Sequence, residues 1–568
     1  MTTKRRWVKS MSMVTLLLFT VACSSNGSQS SENPDNTGGN GTDGAGQAAL
    51  SMNGDTFDPP VTITVARPVG GDVQFRDGET IENNVHTKWA KERLGIDIQY
   101  AWTAPSANDS FNTKLRLAIS SNEKLPDILQ LRDEGPILDT LIESGKFMEV
   151  GELFDKHASQ TWKDAMNEDP TVWQPFMKDG KKYGVPILDY MYNGDPVLWI
   201  REDWMKKFNF DTPQTLADVE KIMDAFTNQD PDGNGQKDTY GLTAGVKNNF
   251  NTWMSDLGWV FGAYGTMPNQ WNLNESGELE YGSVNEGAKQ ALETIKSWMD
   301  NGYMPQEVLL WDESKGSEIW TAGKAGIIVG PHWMPWWPLE DVKKNVEGAE
   351  YRPYPIPAGP DGDIGRHGTN VNNGVILINK DMEHPEVFFH YQNFMFDNYA
   401  NPQVGGEFQY GMHNGYDYFM EEGASEPATE VPGGAIAVNK YTLTFDGARI
   451  PSLSLQTMAK FADPTVKPET PYEIMNTSTA PKQVYEAAKI VLDQKDITMP
   501  ERFKSSFTST MKQKWEYLEK LEKDIYAKII FGKNDSSSFD TFVEEWKKSG
   551  GDEVTAEVNA WYDQNGIK

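Results

Sequence analysis

The feature that most constrains this chain is a pair of short apolar runs held apart by a polar, aromatic bridge. The first run is Val185, Pro186, Ile187 and Leu188; the second is Val197, Leu198, Trp199 and Ile200. Each is too short for a helix and reads as a buried strand. The bridge between them, 189–196, carries Asp189, Tyr190, Tyr192, Asn193, Gly194 and Pro196, too long and too aromatic for a tight hairpin turn. A turn at Asp179 and Gly180 precedes the first run. A helix is predicted from about Glu202, with Glu202 and Asp203 in its first turn and Lys206 and Lys207 further along, signs that match the helix dipole. Two buried strands joined this way read as a crossing between two bodies. The expectation is a hinge, with a ligand held where the bodies meet.

From residue 61 strands alternate with helices: strands at 61–66, 96–100 and 125–131, helices at about 81–94 and 110–119. This alternation predicts an α/β fold in which each lobe is a mostly parallel sheet flanked by helices. Ligands of such sheets sit beyond the carboxyl ends of the strands, which places Arg67, Trp102, Arg132, Asp133 and Glu134 near the cleft. A second crossing is expected at 367–374, where Asn370, Asn372 and Asn373 lead into a strand at 375–378; these amides suit a hydroxyl-rich ligand, and equally a plain turn. The C-terminal part reads as helical, with Trp515, Leu518, Leu521 and Ile525 on one stripe of a helix ending near 530. The domain reading is a first lobe over about 61–198 and 369–440, and a second over 199–368 and much of 441–568.

The N-terminus reads as a targeting segment rather than as fold. Lys4, Arg5, Arg6 and Lys9 precede an apolar core at 11–19, too short to span a bilayer permanently, so 1–22 is taken as a secretory signal. Cys23 is the single cysteine of the chain, so no disulfide, thiolate metal site or thiol nucleophile is available after it. Residues 24–48 are almost free of apolar side chains and read as a flexible tether extending to about residue 60. The chain carries 83 acidic and 52 basic residues, a formal net charge of −31, which argues against nucleic acid as a partner. The same sign argues against polyanionic ligands unless a local basic pocket overrules it.

Several stretches carry a resemblance. The order D-G-K-x-Y-G-V-P at 179–186 with L-W-I-R-x-D-W at 198–204, the L-P-D-I strand at 125–128, and the ending F-D-x-F-V-x-x-W near 539–546 followed by G-G-D at 550–552 are similar to extracellular solute-binding proteins of the family-1 type. The resemblance is to the larger lipoproteins that feed oligosaccharide ABC importers, and it covers nearly the whole chain after the tether. It implies a two-lobed binding fold, an oligosaccharide ligand and a transmembrane permease as partner. It also implies a monomer, with no enzymatic activity of its own. No Walker A sequence is present, so the ATPase is expected to be a separate subunit. Residues 20–23, Thr, Val, Ala and Cys, resemble the lipobox of bacterial lipoproteins, with Thr20 in place of the usual leucine. That implies a lipid on Cys23 and a position on the extracellular face of the cell membrane.

Two local motifs carry chemistry. Asp230, Asp232, Asn234, Gln236 and Asp238, with Gly235 at the bend, place oxygen ligands at positions 1, 3, 5, 7 and 9 of an EF-hand-like calcium loop, Gln236 through its backbone carbonyl. Position 12, normally a bidentate glutamate, is Gly241, so Thr239 or water is expected to complete the shell of a structural Ca2+; the alternative is an acidic turn that binds nothing. The second motif ends a strand at 326–329 and continues as Gly330, Pro331, His332, Trp333, Met334, Pro335, Trp336 and Trp337. In carbohydrate-binding relatives a tryptophan at the place of Trp333 stacks on a sugar ring, so the resemblance assigns that role here, with His332, Trp336 and Trp337 as neighbours. A flat indole covers the C–H face of a pyranose while amides, carboxylates and arginines bond its hydroxyl rim. On this basis the expected ligand-binding residues are Trp333, His332, Trp336, Trp337, Asn372, Tyr190, Asp133, Arg67, Trp253 and Trp271, while Trp199 and Trp320 are assigned to core. The competing classes are a secreted glycoside hydrolase, which needs two carboxylates flanking a bond, and a peptide binder on the same fold.

Overall fold

The crossing at 189–195 decides how both sheets are built. The computed structural model describes residues 50–566 except 77, 133, 134, 423, 427, 478 and 479; the signal segment, Cys23 and most of the tether lie outside the described residues. In chain order the elements used below are β1 (Val61–Val69), α1 (Val85–Leu94), β2 (Ile96–Pro105), α2 (Ser110–Ser120), β3 (Ile128–Leu131) and β4 (Val185–Leu188). After the crossing come β5 (Pro196–Arg201), α3 (Leu216–Asn228), β6 (Tyr240–Leu242), α4 (Glu286–Asp300), β7 (Ala325–Pro331) and β8 (Tyr351–Tyr354). The chain returns through β9 (Asn372–Ile378) and α5 (Glu386–Asn398), and ends in α6 (Leu453–Lys460), α7 (Lys482–Asp493), α8 (Met511–Ile530) and α9 (Asp552–Asn565).

Two main sheets result. The first has five strands in the order β2-β1-β3-β9-β4, the second four in the order β6-β7-β5-β8. Strands β1, β2 and β3 are parallel, but β9 runs antiparallel to both its neighbours. In the second sheet β6, β7 and β8 share one direction, and β5 lies antiparallel between β7 and β8. Each sheet is thus mostly parallel, as expected, with one strand running against the rest: β9 in the first and β5 in the second. The reason is the crossing itself: a strand arriving from the other lobe enters at the cleft end of its new sheet, where the neighbouring strands leave. Pro196, first in β5, accordingly pairs with Pro331, last in β7, and Asn372, first in β9, with Leu188, last in β4.

Strand periodicity accounts for the cores. In β5, Leu198 and Ile200 face one cluster, joined by Ile327 and Val329 of β7 and by Val219, Met223 and Phe226 of α3. Their neighbours Val197 and Trp199 face the opposite cluster with Ile328, Leu455 of α6 and Val484 of α7. All six residues of β5 are buried, because both faces of the sheet are covered. Leu518 of α8 and Val558 of α9 join the first of these clusters, so the C-terminal helices complete the second lobe. A separate core in the first lobe gathers Ala66, Leu115, Leu129, Val375 and Leu377. Trp199 and Trp320 are fully buried, as expected.

The first crossing ends at residue 195 and not at 198, since β5 begins at Pro196. Residues 196–198 belong to the second sheet, and 441–447 remain with the first lobe, where Arg67 donates to the Thr442 carbonyl at 2.6 Å and Tyr441 to that of Gln74 at 2.5 Å. The chain thus crosses three times, at 189–195, 366–371 and about 449–452. Main-chain bonds lace the crossings together: Asp189 N to Val371 O at 2.8 Å and Met191 N to Pro451 O at 2.8 Å.

At their centre lies Asp195. Its carboxylate accepts from Arg366 Nε (3.1 Å), Thr369 Oγ1 (3.1 Å) and Thr498 Oγ1 (2.7 Å), and the Asp195 and Arg366 side chains are both 0% exposed. Removing one member of a buried ion pair leaves an uncompensated charge, so Asp195→Ala is expected to cost about 3–5 kcal/mol in urea unfolding. The double variant Asp195→Ala/Arg366→Met should recover most of that loss; equal losses in both variants would show that the pair contributes nothing specific.

Candidate functional site

The site is built where strands of both lobes point at one another. On the second-lobe side, β7 ends at Pro331 and the chain turns through Trp333, while the loop before residue 258 delivers Trp253. The rings of Trp333, Trp253 and Trp337 form a stack: Trp253 lies 5.9 Å from Trp333 with planes 18° apart, and 6.0 Å from Trp337 with planes 14° apart. Trp253, Trp336 and Trp337 are 41%, 43% and 50% exposed, which for indole is a large apolar area left to solvent. Trp333 is held in place from below, its Nε1 donating to the Asn193 carbonyl of the first crossing at 2.7 Å.

From Asn193 a polar seam runs across to the first lobe. Asn193 Nδ2 lies 3.4 Å from the Asp189 carboxylate, which is paired with Arg449 Nη1. Arg449 Nη2 reaches Asp446 Oδ2 at 3.2 Å, and the same oxygen accepts from Asn373 Nδ2 at 2.9 Å and stands 3.6 Å from Arg132 Nη2. Burial alone would lower the Arg449 pKa, but Asp189 and Asp446 hold it above the ordinary arginine value. Gly374, beside this seam, has φ +120°, and a Cβ there would come within 2.2 Å of the Leu131 carbonyl, so only glycine lets β9 start so close to the end of β3. Three non-glycine residues at the site also hold left-handed backbone: Tyr192 (φ 58°), Ser255 (φ 59°) and Phe445 (φ 63°). Such strain gathers at ligand clamps and is held by the surrounding structure.

The loop bearing Trp253 is tied to the second crossing. Asp256 accepts from Thr252 N at 2.9 Å and stands 3.3 Å from His367 Nδ1, an ion-pair distance, with both groups buried. Burial, the largest influence on His367, lowers its pKa, yet Asp256 and then Asp195 outweigh burial and the opposing Arg366, so the net value lies above 6.5.

The sequence-derived candidates separate clearly. Trp253, Trp333, Trp336 and Trp337 come together. Tyr190 is half-buried in the first crossing beneath the Arg449 guanidinium, 4.8 Å from its ring. Asn372 starts β9, donates to the Val172 carbonyl at 3.1 Å and keeps its Oδ1 enclosed without a partner. His332 is buried, and burial pushes its pKa down to about 4, so it is a neutral, packed neighbour. Arg67 is 1% exposed and donates to the carbonyls of Thr442, Lys440 and Pro68, which directs it into the first lobe and away from a ligand. Trp271 is buried against Tyr281 and Trp515 in the second-lobe core. Asp133 lies outside the described residues. Asp189, Asp446 and Arg449 were not anticipated; their pairing joins positions hundreds of residues apart, and no local pattern signals it.

The 230–238 loop has the backbone of a tight metal-type turn, with φ 48° at Asp230, 73° at Gly233 and 76° at Gly235. Gly235 N donates to Asp230 Oδ2 at 3.1 Å, Gln236 N to Asn234 Oδ1 at 2.7 Å, and Asn234 Nδ2 to Asp238 Oδ1 at 3.1 Å. Asp230 Oδ1 is buried without a partner. Lys324 supplies the counter-charge, 2.6 Å from Asp238 Oδ2 and 3.4 Å from Asp232 Oδ2; hydrogen bonds from Lys324 and then Asn234 hold Asp238 below the usual carboxylate range. In this arrangement no three His, Cys, Asp or Glu side chains among the described residues converge into a cage. Thr239 is buried and donates to the Phe226 carbonyl at 2.8 Å, which turns it into the lobe and away from the shell expected of it. The donor set of three carboxylates, an amide oxygen and a backbone carbonyl fits a hard cation once Lys324 moves aside.

Comparison with known proteins gives three kinds of match. The family model for bacterial extracellular solute-binding proteins matches residues 72–398. The polygalacturonan/rhamnogalacturonan-binding protein YtcQ of Bacillus subtilis is 23% identical over 488 residues, covering 84% of this chain and 88% of the relative. Among solved structures, the ABC-transporter substrate-binding protein FusA of S. pneumoniae in complex with kestose superposes with a TM-score of 0.61 at 19% identity, covering 89% of this chain and 99% of that one. The alginate-binding protein AlgQ2, solved without calcium ion, gives 0.61 at 17% identity, covering 89% and 98%. These likenesses show the two-lobed fold.

The His367–Asp256 pair makes a testable statement about pH. Its raised pKa means that its stabilisation is fully present below about pH 6.5 and is lost as pH rises through the higher folded value. The Tm of the domain is expected to fall across that interval, and His367→Gln should flatten this part of the profile; an unchanged profile in the variant would remove His367 from the account.

Proposed function

The chain belongs to the bacterial extracellular solute-binding proteins, and from that premise we propose that it captures an oligosaccharide between its lobes and delivers it to an ABC permease without cleaving it. The observation that carries this reading is the stack of Trp333, Trp253 and Trp337 beside the first crossing, in which Trp333 is half-buried and Trp253 and Trp337 are left exposed. A row of near-parallel indoles left to solvent is costly unless it has a planar, C–H-rich surface to cover. YtcQ is named for plant-type polysaccharides and FusA was solved with kestose, so carbohydrate is the class these neighbours support. The asparagines and the Asp189–Arg449–Asp446 seam supply the polar rim that would fix orientation.

Closure follows from the three crossings, which absorb φ/ψ change while each lobe keeps its core. The working protein is a monomer whose partner is a transmembrane permease with a separate ATPase. It is held on the extracellular face of the membrane by a lipid on Cys23 through a tether that ends before residue 51 and not at about residue 60, because Phe57 is buried and Thr56 Oγ1 donates to the Arg93 carbonyl at 2.8 Å. Among the described residues no helix is long and apolar enough to cross a membrane. Asp230, Asp232, Asn234, Asp238 and the Gln236 carbonyl would hold a structural Ca2+, with Lys324 displaced as counter-charge; AlgQ2, solved in a form specified as lacking calcium ion, makes this the ion to test. Bound there, calcium would supply fixed positive charge that locks the loop between α3 and β6.

Binding to the folded state raises Tm by mass action. A thermal-shift screen of the mature domain against oligosaccharides is expected to give a saccharide-dependent rise with no cleavage product. Trp253→Ala should weaken that saccharide by about tenfold, roughly 1.4 kcal/mol, with the ligand-free Tm unchanged, since the ring is exposed. Product formation, or a response to peptides alone, would overturn the assignment. Calcium should raise Tm separately, and Asp232→Asn should abolish that rise; equal calcium shifts in both proteins would show that the loop holds no ion.

A further inference from the structure

The charges at the cleft floor single out one side chain. Asp189 and Asp446 are 17% and 10% exposed, and Arg449, 16% exposed, lies between them and is paired with both. Arg132, the other cation of the seam, is 41% exposed. Its ion-pair contact among the described residues is to Asp446 at 3.6 Å, an oxygen already taken at 2.9 Å by Asn373 and at 3.2 Å by Arg449. At that length, with the guanidinium half in solvent and its acceptor oxygen shared, the pair is weak, so the Arg132 fork is easily surrendered to a better acceptor. Its guanidinium is positioned rather than loose: it follows the last residue of β3, where α/β sheets take their ligands, and lies 5.0 Å over the ring of Phe445, whose backbone is held at φ 63°. The two aspartates and two arginines of the seam cancel, and the member most open to solvent is the positive one. In a chain of net charge −31 the Arg132 guanidinium is thus an exposed, positioned positive group, connected to Trp333 through Asn193, Asp189, Arg449 and Asp446 and close enough to Asp72, which Lys440 holds, to act on its carboxylate.

We propose that the cleft selects oligosaccharides bearing a carboxylate, and that Arg132 is the specificity-determining residue that reads it. The planar fork of Arg132 matches a uronate carboxylate bidentately, while the indole stack covers the ring faces of neighbouring sugars. A hydroxyl or a methyl ester in the same place would gain no charge-assisted bond. This inference rests on the oligosaccharide-binding reading above and adds the chemical class of the sugar.

Isothermal titration of the mature domain tests it, using trisaccharides of galacturonate and of mannuronate, their methyl esters, and a neutral panel that includes kestose. The expected result is that at least one uronate binds about tenfold or more tightly than its own ester, and that this advantage shrinks as salt is raised. Arg132→Gln should erase the advantage while leaving ester affinity within about twofold, and Arg132→Lys, which keeps the charge but not the fork, should fall between. Because Arg132 is exposed, the Tm of each variant without ligand serves as the folding control. Equal binding of acid and ester, or equal weakening of both by Arg132→Gln, would overturn the proposal. Binding of neutral sugars alone would overturn it and leave oligosaccharide capture standing, whereas no binding of any saccharide would take down both.

Discussion

One buried carboxylate holds the hinge together. Asp195 ends the first crossing, yet its acceptors are filled by Arg366 and Thr369 of the second crossing and by Thr498, which leads into the C-terminal helices. With neither Asp195 nor Arg366 reaching solvent, the pair can exist only if all three segments arrive together, so it fixes where the lobes meet. The direction of the strands follows from the same point. Because β5 and β9 both begin at the hinge, each must run against the strand that ends there, and the two sheets become mixed. The pin is rigid; the movement available to the lobes lies in the residues on either side of it.

The same point links structure to site. His367 follows Arg366 directly and faces Asp256, which caps the loop carrying Trp253. On the other side, the carbonyl of Asn193, two residues before Asp195, orients Trp333. Two rings of the indole stack, Trp253 and Trp333, are therefore tied to the crossings, and a ligand that settles on the stack acts on the hinge through one ion pair and one hydrogen bond. The left-handed residues Tyr192, Ser255 and Phe445 sit on three different segments of this circuit, where strain is held in place by the neighbours and is available to be relieved.

Much of this was legible in the residues, for physical reasons that also mark the limits. The hinge was readable because a buried strand needs an unbroken apolar run, and 185–188 and 197–200 are such runs with an incompatible bridge between them. The reversed direction of β5 and β9 was not, since alternation of strand and helix carries no record of which end of the sheet the chain enters. Trp333 could be placed near the crossing because it follows a strand end by two residues, while its role toward a sugar came from the resemblance alone. Arg67 could not, because a strand position fixes the residue but not its face, and its side chain is claimed by carbonyls near residue 440. Trp271 sits in a short hairpin whose partner Tyr281 packs under the C-terminal helices, a contact across sequence that no local pattern encodes. Net charge misleads in the same way: a total of −31 describes the solvated surface, whereas Arg132 and Arg449 meet Asp189 and Asp446 only once three distant segments are brought together.

The central claim is that ligand capture closes the two lobes about the Asp195 pin. Since Cys23 is the only native cysteine, spin labels on Leu117→Cys in α2 and on Lys315→Cys in the second lobe report on that distance without background in the domain that follows the tether. The direct measurement is the distance distribution between them by pulsed electron paramagnetic resonance, with and without a saturating saccharide. A shorter and narrower distribution is expected with ligand; a saccharide that binds calorimetrically while the distribution stays unchanged would contradict closure about Asp195.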